Sequence, residues 1–147
     1  MFVPSAVSLL NALKIDYATF EKGGRVEVPA GLFKLLLQIA VAAAEFDEEN
    51  YLRQNPDVAR AVARGELESG HMHYIGFGYF EGRRGAGPTV DADWYLGKYP
   101  DVAAAVKDGR VKSAEAHFLS IGAGEGRSPA ADYEAEAAQW KSAIKGI

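Results

Sequence analysis

The chain has 147 residues, a formal net charge of −4 and no cysteine. Disulfides, thiol catalysis and thiolate metal sites are therefore excluded, and the acidic balance argues against nucleic-acid binding, which needs a basic footprint. A hydrophobic fraction of 48% beside 24% charged residues is ordinary for a globular chain, long enough for one domain or a small array sharing a core.

The opening segment, MFVPSAVSLLNALK, lacks the basic start and small-residue cleavage site of a secretory signal. A cytoplasmic location is favoured on that ground, with signal-less secretion left open. The Met1 start and helical end read as those of a full protein. Ser5 can cap a short helix through Leu13, with Leu9, Leu10 and Leu13 on one side. Residues 15–20 and 25–28 are short and β-prone across Gly23-Gly24, and read as a small hairpin or as extended chain. Pro29 then precedes a helix over 30–45. Its apolar run is broken by Lys34 and Gln38 and is too short for a bilayer span of roughly 20 residues, so no membrane span is expected. Being apolar on nearly all sides, this helix should sit buried at the centre of the fold.

From Asp47 onward one pattern is written twice. Residues 47–83 read DEENYLRQNPDVARAVARGELESGHMHYIGFGYFEGR, and residues 91–127 read DADWYLGKYPDVAAAVKDGRVKSAEAHFLSIGAGEGR, offset by 44 with no gap. Such self-similarity marks a supersecondary unit stacked on its copy. Each copy reads as three short helices. Asp47 and Asp91 are N-cap candidates, and Pro56 and Pro100 end the first helix and open the second. Val58 and Val62, like Val102 and Val106, share one face at i, i+4. Gly65 and Gly109 stop the second helix, Ser69 and Ser113 cap the third, and Gly78 and Gly122 end it before a Glu-Gly-Arg return. After Pro129, a last helix carries Tyr133, Ala137, Trp140 and Ile144 on one face and should close the open end of the stack.

The residues Y-L-x-x-x-P-D-V-A, then H-[YF], then G-x-x-E-G-R, resemble a short module found in many bacterial proteins, an accessory segment of glycosyltransferase-like and calcium-binding, haemolysin-type secreted proteins. The resemblance covers residues 46–129 and implies a helical module but no chemistry. The chain has neither nonapeptide Gly/Asp calcium repeats nor a glycosyltransferase domain, and residues 1–45 lie outside the resemblance.

Several polar positions recur in both copies: Asp57 and Asp101, His73 and His117, Glu81 and Glu125, Arg83 and Arg127. They read either as a polar site present twice or as a hydrogen-bond network tying the Glu-Gly-Arg turn to the second helix; the structural reading is preferred, because buried helix ends and tight turns require partners. His71-x-His73 is a poor metal pair, since residues two apart on a helix face apart, and no metal or other cofactor is implied. The glycines near 76–78 and 122–126 follow a helix, whereas a phosphate loop follows a strand. No catalytic constellation is visible, and an enzyme is not expected.

What distinguishes the copies is the first turn, where Phe77, Tyr79, Phe80, Arg83 and Arg84 fall within eight residues, with His71 nearby. Aromatics with arginines are common interface anchors, although aromatics more often pack into cores. The expected fold is therefore mainly α: a compact helical array of two tandem three-helix repeats around a central apolar helix, with a small N-terminal hairpin as the alternative to extended chain. Its parts are residues 1–45, repeat 46–84, repeat 90–128 and a capping helix over 131–147. The expected function is a non-enzymatic interaction module for a protein partner or for self-association. The alternative is a carbohydrate-binding accessory module linked to polysaccharide synthesis or export, with a glycan as ligand.

Overall fold

The computed structural model describes residues 2–85 and 87–146. It is mainly helical, and no strand forms among the described residues. Two short helices open the chain. In α1 (Ala6–Leu13) the Ser5 hydroxyl accepts from Ser8 N–H at 3.2 Å. In α2 (Tyr17–Glu21) the Asp16 carboxylate accepts from Thr19 N–H at 2.9 Å and from the Thr19 hydroxyl at 3.2 Å. The hairpin reading of residues 15–20 is thus corrected. One side-chain cap holds these β-prone residues in a helical turn, since such bonds compete directly with strand pairing. Residues 25–28 run without regular structure.

Helix α3 (Ala30–Ala42) forms where the apolar run places it, but it is not enclosed. Only Val41 is buried, and Phe33 and Leu35 remain 55% and 51% exposed. The helix uses one narrow face: Val41 joins the core of the first repeat, Gln38 Nε2 donates to Ile75 O at 3.3 Å, and Lys34 Nζ lies 4.9 Å from the Phe80 ring centroid. Periodicity measures how much of a helix is apolar, not which side finds a neighbour.

The two segments, offset by 44 residues, follow the same path. In the first, α4 (Glu48–Gln54), α5 (Pro56–Ala63) and α6 (Gly70–His73) lead into a π-helical turn, Tyr74–Gly78. In the second, α7 (Ala92–Lys98), α8 (Pro100–Lys107) and α9 (Ala114–His117) lead into the π-helical turn Phe118–Gly122. Asp47 accepts from Asn50 N–H at 2.9 Å, and Asp91 from Trp94 N–H at 3.0 Å. Gly65 and Gly109 take φ of +72° and +73°, a region open to glycine, after the second helix of each segment. Gly78 and Gly122 close the helical run that continues the third helix, as expected from their type. The chain turns on past them through wide bonds, Tyr79 N–H to Tyr74 O and Ala123 N–H to Phe118 O, both at 2.9 Å. The left-handed stop comes four residues later, at Gly82 (φ +71°) and Gly126 (φ +73°).

Two compact units result, Val28–Gly87 and a second made of Met1–Glu27 with Pro88–Ile147. The first has its core in Val41, Tyr51, Val58 and Tyr74. The second has Tyr95, Val102, Ala114 and Phe118. It ends in a 3-10 turn, Ala131–Tyr133, and α10 (Glu134–Lys145). Helix α10 packs through its charged flank: Lys98 pairs with Glu134, and the Lys141 stem lies against Gly126. The apolar face expected to close the stack is turned outward instead, with Trp140 62% exposed.

Candidate functional site

Each segment is built around a tyrosine that reaches 22 residues along the chain to a histidine. Tyr51 Oη and His73 Nδ1 are hydrogen-bonded at 3.0 Å, as are Tyr95 Oη and His117 Nδ1. The phenol oxygens sit where a side chain on Gly78 or Gly122 would begin, so a Cβ at either glycine would collide with them. Burial raises the Tyr51 phenol pKa and pushes that of Tyr95 up to about 12. The phenol is therefore a neutral hydrogen-bonding group inside each core.

The Glu-Gly-Arg turn closes against the start of the second helix. Arg83 Nη1 donates to both Asp57 oxygens at 3.0 and 2.9 Å and to Asn55 Oδ1 at 3.1 Å, while its Nε donates to Glu81 at 2.7 Å. In the second copy Arg127 grips Asp101 with two nitrogens, at 2.9 and 2.7 Å, and Glu125 with Nε at 2.7 Å. Tyr99 replaces Asn55 there, and the Arg127 guanidinium lies over its ring at 4.9 Å. The arginine beside each aspartate depresses the carboxyl pKa, for Asp101 to about 2. These carboxylates are exposed, so each pair contributes modestly to stability and more to turn geometry.

The aromatic set of the first turn divides into two groups. Phe77, Tyr79 and Phe80 lie at the surface, 59%, 38% and 41% exposed. Tyr79 meets the buried Tyr74 edge-on at 6.1 Å and Phe80 at 5.2 Å, and Phe77 meets His73 at 5.8 Å. Arg84 is also exposed. Arg83 is committed to the turn network, and His71 turns inward. The His71 ring stacks on Phe46 at 4.6 Å, its backbone N–H donates to Glu48 at 2.8 Å, and its Nε2 is buried with no hydrogen-bond partner among the described residues. Glu48 also accepts from Gly70 N–H at 2.6 Å. Sequence reading passed over Glu48, because the second copy has Ala92 there. The approach of Lys34 to Phe80 and the outward face of α3 had one signal in the sequence, the near-uniform apolarity of that run.

Among the described residues, no cluster of three or more His, Asp or Glu is placed to hold a metal ion. No helix among them is long and apolar enough to cross a membrane. No protein-family model, curated protein or solved structure matches the chain.

Proposed function

We propose that this chain is a non-enzymatic interaction module that binds a protein partner, or a second copy of itself, through Phe77, Tyr79 and Phe80. The observation that carries this reading is their exposure beside a core already filled by Tyr51, Val58 and Tyr74. Aromatic side chains that the unit does not need for its own packing are the usual anchors of an interface. The second segment has Ile121, Ala123 and Gly124 at the matching positions, so the aromatic surface belongs to the first copy. Resemblance to bacterial accessory modules fits a role beside other domains or proteins. The test is capture of partners from the native host, with sedimentation of the free chain, comparing wild type with Phe77→Ala/Phe80→Ala. Tyr79 is left in place because it contacts buried Tyr74. A partner or dimer lost from the folded variant supports the reading; equal capture and equal sedimentation by both proteins overturn it.

A carbohydrate-binding role is the second reading, and one observation favours it. Trp140 stands exposed beside Glu136 and Gln139 in an open depression of about 380 Å³. An aromatic face flanked by hydrogen-bonding side chains suits a sugar ring. Loss of glycan-array signal in Trp140→Ala supports this reading, and absence of signal from the wild type argues against it.

A further inference from the structure

The opposite flank of α10 carries a feature that neither reading uses. An open cleft of about 610 Å³ lies between the Glu125-Gly126-Arg127 turn, Tyr99 and the helix, lined on the helix side by Lys141 and Lys145. Most charges around it are matched. Arg127 holds Asp101 and Glu125, and Lys98 holds Glu134. Glu125 is the one carboxylate lining the cleft, and because it shares Arg127 with Asp101 that network keeps one negative charge, fewer than the two positive charges of Lys141 and Lys145. Lys141 and Lys145 form no ion pair among the described residues. They stand one helical turn apart, so both reach the same side. Gly126 lets the Lys141 stem pass directly over the turn, since a Cβ there would collide with it. A cation in the last turn complements the helix dipole, which accounts for Lys145 but does not require a second lysine seated against Gly126.

We propose that this cleft binds a small multivalent anion, held by the Lys141 and Lys145 ammonium groups. In a chain of net charge −4, two unmatched cations beside a concave surface form a local reversal of field, and such concavities concentrate counter-ions of opposite sign. Phosphates and polycarboxylates share the chemistry required, several acceptor oxygens carrying more than one negative charge. The site lies on another face of α10 from Trp140, so it stands or falls independently of the glycan reading.

The experiment is a titration of the full chain at low ionic strength with inorganic pyrophosphate and, separately, with citrate, followed by backbone amide NMR shifts. Sodium chloride at matched ionic strength is the control. Saturable shifts confined to residues 98–99, 125–127 and 141–145 are expected, weakened about tenfold or more in Lys141→Ala/Lys145→Ala. Lys107→Ala/Lys112→Ala, which removes two lysines elsewhere, should bind as wild type does. Binding of pyrophosphate alone, of citrate alone or of both supports the site and names its anion class. Absence of saturable shifts with both probes overturns it, as does equal loss in the two lysine double variants.

Discussion

A glycine, a tyrosine and a histidine that recur together serve one purpose in each copy. The phenol oxygen of Tyr95 occupies the volume that a Gly122 side chain would need, and hydrogen-bonds to His117. Gly122→Ala should therefore destabilise the chain by about 1–3 kcal/mol through overpacking, measured as a shift in the denaturant midpoint at constant slope. Tyr95→Phe keeps the packing and removes the hydroxyl, and should cost about 1 kcal/mol at neutral pH. The two proteins should also differ in alkali. The folded pKa of Tyr95, about 12, lies above the ordinary value of 10.0, so its contribution is complete below pH 10 and is lost as pH rises through 12. Tyr95→Phe should flatten that alkaline limb. Asp101 has the opposite sign: its folded pKa of about 2 lies below the ordinary 3.8, so its contribution is present above about pH 4 and fades as pH falls through 2. Asp101→Asn should flatten the acid limb of a pH-stability curve; an unchanged limb would show that the Arg127 pair is energetically silent.

At the scale of single elements, local chemistry explains what forms and where it stops. Asp91→Ala should cost about 1 kcal/mol in thermal or denaturant unfolding, because the Trp94 N–H loses its acceptor. The capping aspartates, the prolines at the first turn of α5 and α8 and the glycines at 65 and 109 were legible in the sequence because each acts within a few residues. Gly78 was legible as the end of the third helical run, but the reason it must be glycine was not. Its neighbour is Tyr51, 27 positions away, whose phenol oxygen leaves no room for a Cβ there. The missed α2 has the reverse cause: its residues favour strands, but one aspartate at the right offset decides the outcome.

For the molecule as a whole, the two cores are made of different residues and are expected to open separately. Val58→Ala should cost about 2 kcal/mol by lost burial and cavity formation. In native-state hydrogen exchange it should lower protection across residues 48–78 and leave 92–122 near wild type. Equal loss in both segments would show that they unfold as one body. The surfaces proposed for function also belong to this scale. Phe77 and Phe80 are exposed because Tyr51, Val58 and Tyr74 fill the interior first, and Lys141 lines a cleft because Gly126 admits its stem.

The line between the two kinds of information follows distance along the chain. The 44-residue period, the caps and the turn glycines could be read from the residues alone, since capping and φ preferences are decided by near neighbours. The pairing of Tyr51 with His73, the outward side of α3 and the exposure of Trp140 could not. An apolar residue in a helix is equally suited to a core or a contact surface, and only packing against segments 20 or more residues away selects between them.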